Sequence, residues 1–359
     1  MMRAVPFWFV YTVPAVALVG IALGGWYPLL TVAYVFGAIP LADHLVGRDD
    51  TNPGEAPART WWFDAPLVVW VPCQLTLLLL GLVMVTRAPG SILDLANAAV
   101  AMGLVTGGAG ITIAHELMHR PGRGERALAE VLMTSVTYPH FSIEHVYGHH
   151  KNVATAHDPA TSRLGESIYA FLPRTILGGV VSAWRIERAR AEKLGISRLS
   201  LRSAFTRYAL TLSAIYAGVY LTFGLNGAAF FFLQSFFAVA LLELINYVEH
   251  YGLQRRELSP GRYERVQPYH SWNSSHRLTN WLLFNLQRHS DHHYLASRPY
   301  HQLRHYDHVP QLPSGYAAMV WLALLPPLWR RVMDPRVEQA LVSIASLPAS
   351  GAADPATSA

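Results

Sequence analysis

Nine of the 17 histidines in this chain stand in four tight clusters: His115 and His119 in HELMHR, His145, His149 and His150 in EHVYGHH, His250 in NYVEHYGL, and His289, His292 and His293 in LQRHSDHH. Imidazole is the commonest side-chain metal ligand, and a spacing of three or four residues puts two donors on one face of a helix. HELMH by itself matches the HExxH pattern, in which two histidines bind zinc and the glutamate serves as general base. Such a hydrolase needs only one more protein ligand, which leaves most of these histidines without a task. Eight or nine imidazoles can hold two metal ions, and nitrogen ligation with open positions suits iron or another redox metal as well as zinc. The clusters point to a two-metal centre.

Each cluster carries a neighbouring carboxylate: Glu116, Glu144, Glu249 and Asp291. Adjacent residues on a helix point about 100° apart. Each carboxylate is therefore expected to orient a histidine of another cluster, or to bridge the metals, rather than to serve its own neighbour. Of the other histidines, His276 in SWNSSH is the one expected closest to the ligands, in the same supporting role and as the alternative to His250 for the ninth ligand. Cys73 is the only cysteine, so the chain holds neither a thiolate metal site nor a paired-cysteine iron module.

These clusters must be positioned by a membrane protein. Hydrophobic residues make up 52% of the chain and charged residues 14%, far from the balance of a soluble domain. Apolar stretches at 6–24, 28–46, 66–86, 91–114, 207–224 and 228–248 each approach the ~20 residues that cross hydrocarbon. The expected fold is all-α and polytopic: one domain over 1–345, with six transmembrane helices and a disordered tail at 346–359. The stretch 166–195 starts apolar and ends Arg-rich, as a helix lying at the membrane surface does. Twelve Lys or Arg fall between His115 and Arg202 and eleven after His250, whereas the connections at 25–27 and 225–227 have none. This places both termini and the segments 115–206 and 249–345 in the cytoplasm. Topology thus accounts for the net charge of +5 without nucleic acid. The ligands fall at span ends and in polar segments, not mid-membrane where a metal transporter would place them.

With these motifs in place, the sequence resembles the integral-membrane non-haem di-iron alkane 1-monooxygenases, within the wider group of fatty-acid desaturases and hydroxylases. HELMHR, EHVYGHH and LQRHSDHH look like that family's three histidine boxes, and NYVEHYGL like the motif that separates alkane hydroxylases from desaturases. The likeness continues through DPATSRLGESIY and GRYERVQPYHSWNSSH and covers about Gly37 to Asp334. It implies that the nine histidines bind two irons, with no haem or flavin in the chain. It also implies that O2 oxidises the terminal methyl of an n-alkane drawn from the bilayer. Electrons would come from a separate rubredoxin, reduced by a flavoprotein that uses FAD and NAD(P)H, at the inner membrane. The resemblance makes the second span a wall of the substrate tunnel, with Val35 as the candidate gate. The basic cytosolic residues Arg120, Arg123, Arg126, Lys151, Arg255 and Arg256 are candidates for docking the carrier. A desaturase or a hydroxylase of alkyl aromatics would share the boxes and differ in the tunnel.

Overall fold

The computed structural model describes residues 2–54, 60–87 and 90–347; residues 348–359, most of the expected disordered tail, lie outside them. Five helical stretches among the described residues are long and apolar enough to cross a bilayer. They are α1 (Arg3–Leu23), α2 (Tyr27–Val46), α3 (Trp61–Arg87), α4 (Ile92–Met118) and, later in the chain, α8 (Ala204–His250). Between α4 and α8 lie α5 (Arg123–Ser135), a short helix α6 over 141–152, and α7 (Ile168–Lys193). After α8 come a hairpin of β1 (Glu257–Ser259) and β2 (Arg262–Tyr263), then α9 (Arg277–Leu282), α10 (His289–Tyr294), α11 (Tyr316–Ala323) and α12 (Pro326–Ala345).

The α8 helix shows how two expected spans become one continuous stretch. Its 47 residues would run about 70 Å if straight, twice the hydrocarbon thickness. The helix instead breaks at Gly224, whose φ of 64° is cheap only for a residue without a side chain. The two halves then run antiparallel. Tyr216 and Phe231 meet edge to face with ring centroids 5.3 Å apart, and Thr137 bonds both the Tyr216 hydroxyl and the Ser235 hydroxyl at 3.1 Å. The expected three-residue connection at 225–227 is therefore a reversal centred on one glycine.

The α4 helix opens with a capping box, Ser91 and Asp94 each bonding the other's backbone N–H, and runs on past its expected end at residue 114 to carry His115. Its Gly107 allows close packing on the second half of α8: a Cβ there would lie 2.7 Å from the Ala238 Cα. The fully buried Gln74 and Gln234 tie the bundle to the end of α5. Gln74 donates to the Ser135 hydroxyl at 2.8 Å, and Gln234 donates to the Ser135 carbonyl at 3.1 Å and accepts from Thr106 at 3.0 Å. Buried amides satisfied in this way cost little, and they fix where α6 begins.

Three helices carry a π-turn, a local widening with i→i+5 hydrogen bonds: Tyr34–Ala38 in α2, Val105–Gly110 in α4 and Glu144–His149 in α6. The first lies inside the expected second span at 28–46. The helix widens there and continues through Ile39–Val46.

Candidate metal centre

All nine clustered histidines converge, and they sort into two groups. His115, His119, His145, His150 and His292 form one; His149, His250, His289 and His293 form the other. Within each group the ligand atoms lie within 4.8 Å of one another. The sorting follows helix geometry. In α10 and in the regular last part of α4, after its π-turn, partners four apart stay together: His115 with His119, and His289 with His293. In the π-turn of α6 the partner of His145 is five residues on, at His150, with Nε2 atoms 3.0 Å apart. His149, four residues from His145, is turned into the other group.

The spacing of the nitrogens is that of ligands around a shared ion. Nε2–Nε2 separations are 2.9 Å for His115–His292, 3.0 Å for His119–His145 and His150–His292, 2.9 Å for His289–His293, and 3.2 Å for His149–His293 and His250–His289. Neutral imidazole has one N–H, so one Nε2 cannot serve as donor to two such neighbours at once. Two nitrogens each about 2.1 Å from an ion and at right angles to one another lie about 3.0 Å apart. The donor set fits a metal pair. Seven of the nine are buried, His119 and His150 less fully. Burial, then repulsion from His149, brings the His119 pKa down to about 3. Burial and neighbouring imidazoles likewise hold His145, His150, His289, His292 and His293 well below the usual histidine range. These rings are neutral at pH 7, with lone pairs to give.

Asp158 is the carboxylate that orients a ligand, and it was not singled out from the sequence. Its Oδ2 lies 2.9 Å from His149 Nδ1, with the Thr161 hydroxyl donating to it at 2.6 Å. His149 therefore keeps its proton on Nδ1 and presents Nε2 as a bare acceptor. Burial opposes charge on His149, but Asp158 outweighs it and raises the pKa. The one sign in the sequence is DPAT directly after the second cluster, where Asp followed by Pro and a hydroxyl residue favours a side-chain-bonded turn.

The four carboxylates expected to support the ligands divide. Glu249 Oε2 lies 3.2 Å from His289 Nε2, beside the four-histidine group. Glu116 instead pairs with Arg120, one helical turn on, at 2.7 Å. Asp291 binds Arg298, the Tyr306 hydroxyl at 2.6 Å and the Arg304 N–H at 2.8 Å, pinning the loop after α10. Glu144 lies behind His149 in a small pocket with Tyr138, His140 and Glu243, where burial pushes its carboxyl up to about 7. Glu116 and Asp291 thus reach no histidine nitrogen and pair with arginines instead, whereas Glu144 stays beside His149 and favours its charged form. His276 stands outside the ligand set and His250 inside it, as preferred from the sequence. The Nδ1 of His276 bonds the Ser274 hydroxyl at 2.8 Å, and the ring belongs to neither group.

The third cluster is held by its surroundings. Ser290 N–H donates to the Asn273 side chain at 2.9 Å, the Trp272 N–H reaches the Glu249 carbonyl at 2.9 Å, and the buried Arg288 guanidinium bonds the carbonyls of Leu303, Asp49 and Thr51. The first two lash α10 to the end of α8, and the Arg288 bonds tie its start to the segment after α2 and to the loop at Leu303. Of the basic residues expected at the surface, Arg123, Arg126 and Lys151 are exposed. Arg120 is buried against Glu116 and Asp64, and Arg255 is buried on the carbonyls of Glu264 and Lys151; neither can meet a partner. Arg256 is half-buried and paired with Glu264.

An apolar cavity of about 820 Å³, mouth included, leads to the histidines. His115, His145, His289 and Glu249 form its polar end. Val35, Gly108, Leu241 and Val320 line its apolar part, and Leu104 packs with Leu241 and Val320. The Val105–Gly110 and Glu144–His149 turns supply lining residues, as does the Tyr34–Ala38 turn of α2.

Residues 93–323 match the family model for fatty acid desaturase. The chain is 44% identical over 318 residues to alkane 1-monooxygenase 1 of Pseudomonas aeruginosa, covering 87% of this chain and 83% of that one. It is 42% identical over 343 residues to alkane 1-monooxygenase 2 of the same organism, covering 91% of both. The xylene/toluene monooxygenase hydroxylase component XylM of Pseudomonas putida is similar at 27% identity over 333 residues, 91% of this chain and 87% of that one.

Proposed function

The chain belongs to the fatty acid desaturase family, among its alkane hydroxylases, and from that premise we propose that its two histidine groups hold two iron ions fed with electrons by a separate rubredoxin. It is a multi-pass membrane enzyme, an alkane 1-monooxygenase that hydroxylates the terminal carbon of n-alkanes. The observation that carries the reading is the convergence of nine imidazoles at the polar end of an apolar cavity among membrane-length helices. The iron pair, when bound, would supply the redox chemistry with O2 that an unactivated C–H bond requires, since such a bond gives acid–base or nucleophilic groups nothing to act on.

The residues themselves do the rest. His115, His119, His145, His150 and His292 would hold one ion, and His149, His250, His289 and His293 the other. Asp158 fixes the tautomer of His149. The cavity wall excludes water and leads the methyl end of an extended chain toward His115, His145, His289 and Glu249. Val35 faces that path and limits what passes it. Counting the halves of α8 as two spans gives six crossings of one domain. The basic excess supports a histidine side that faces the cytoplasm at the inner membrane, with α7 along the membrane surface and Arg123, Arg126 and Lys151 open to the carrier, reduced in turn by a flavoprotein using NAD(P)H.

The test is product analysis by gas chromatography of membranes given NADH, rubredoxin, its reductase and a ladder of n-alkanes, with metal analysis of the purified chain. Primary alcohols, dependence on rubredoxin, and about two irons per chain are expected. Alkenes, or an active preparation holding zinc alone, would overturn the reading. The likeness to the xylene/toluene enzyme favours one variant of it, hydroxylation of a methyl on an aromatic ring, which toluene added to the ladder would reveal.

A further inference from the structure

One wall of the cavity is a helix too short to span a membrane. The eight residues of α11 present Tyr316, Ala317 and Val320 to the cavity, although the sequence places all of 249–345 in the cytosol. A single bond fixes their height. Trp321 Nε1 donates to the Phe36 carbonyl at 3.0 Å, and the two rings meet edge to face with centroids 5.9 Å apart. The bond falls where the helix is short of a donor: Pro40, five residues after Val35 and four after Phe36, has no N–H, and the indole N–H reaches a carbonyl of that turn. Phe36 lies ten residues before the end of α2 at Val46, about 15 Å along the helix. Between them Leu41 and Leu45 are 63% and 77% exposed, which on a span means facing lipid. Trp321 therefore sits at a depth with lipid on both sides of it, not above the membrane surface.

The chain stays apolar as it turns back. Trp321, Leu325 and Leu328 are 50%, 56% and 45% exposed. Trp329 of α12 then packs on Tyr247 and Tyr251, and the Tyr251 hydroxyl donates to Asp334 at 2.7 Å, back at the end of α8. We propose that α11 and the turn into α12 form a re-entrant loop seated among the acyl chains, and that the seam between Phe36 and Trp321 is the doorway through which an alkane passes from the bilayer into the cavity. The doorway rests on the alkane reading above; the immersion does not. Across this seam α11 is held by one hydrogen bond, one ring contact and the packing of Val32 and Phe36 on the cluster that includes Val320, a closure that can part without breaking a polar network.

Two measurements test it, and neither needs turnover. In a Cys73→Ala background, Leu325→Cys and Leu45→Cys are spin-labelled in liposomes, and their collisions with oxygen and with a water-soluble nickel chelate are compared. Oxygen is expected to dominate at both positions; dominance of the chelate at 325 would overturn the immersion. For the doorway, metal-loaded protein in nanodiscs, kept without an electron donor so that nothing turns over, is loaded with radiolabelled hexadecane and chased with unlabelled alkane. Trp321→Phe, which keeps a ring and removes the N–H, is expected to speed release by about threefold to tenfold, the loss of one hydrogen bond. Equal rates would overturn the doorway. Wild-type protein that retains no alkane would overturn both the doorway and the alkane reading, while the collision result still decides the immersion.

Discussion

The two histidine groups are built from overlapping helices and yet differ in charge. The group of five draws on α4, α6 and α10, holds no carboxylate within bonding distance of its nitrogens among the described residues, and includes the two less buried rings, His119 and His150. The group of four draws on α6, α8 and α10, is fully buried, and has Asp158 on His149 and Glu249 beside His289. A divalent ion among five neutral imidazoles would keep its whole charge, whereas one in the group of four would lie near the Asp158 carboxylate, which is held in its charged form. Nearby negative charge stabilises a more highly charged ion, and strongly so in a dry interior. The two groups are thus inequivalent, and the four-histidine position would be the better suited to a more highly charged ion.

The largest effect expected is from His250→Ala, which removes a ligand that only the four-histidine group uses: one of two irons is lost and alcohol formation falls to near zero, read by metal analysis and gas chromatography. His276→Ala is expected to keep both irons, and the reverse pattern would move the ninth ligand. A smaller effect follows from Asp158→Asn. It keeps the shape and loses the charge that steadies His149, so affinity at the four-histidine site should drop about 10- to 100-fold while the other site holds. Chelator titration followed by metal counting would show one weakened site, and equal weakening of both would break the comparison. The smallest effect on the metals is expected from Val35→Trp. Both groups should keep their irons, and the ratio of hexadecanol to octanol should fall about tenfold as the indole takes up chain space. An unchanged ratio would place Val35 off the path.

The sequence displays the ligands because metal chemistry fixes both residue type and spacing, and it displays the spans because hydrocarbon fixes length and polarity. It does not display how the ligands sort. The adjacent pair His149 and His150 divides between groups, and so does His292 from its neighbour His293, which depends on side-chain direction and on a π-turn that leaves no compositional trace. Asp158 is silent for a related reason: it lies in an irregular loop where no periodicity marks it, and its role exists only once the chain folds back on His149. Arg120 and Arg255 show the opposite error. A charged residue in a polar segment reads as surface, yet both are consumed by partners inside, Glu116 one turn away and the Glu264 carbonyl nine residues on. The α11 helix escapes notice because eight apolar residues fall below any span length, whatever depth they reach.

A π-turn is a helix with one residue too many, and three of them border a single cavity. The wider turn absorbs that residue without turning the rest of the helix, so an extra residue that would swing an ordinary helix by about 100° leaves His115 and His119 beyond the turn of α4, and His150 in α6, aimed at the centre. In α6 it also sets two histidines of one short helix in different groups, His150 with His145 and His149 apart from both. A one-codon deletion there would leave His145 and His150 four apart and still on one face, while taking out the turn that sends His149 the other way. The four-histidine group is the one such an edit would weaken.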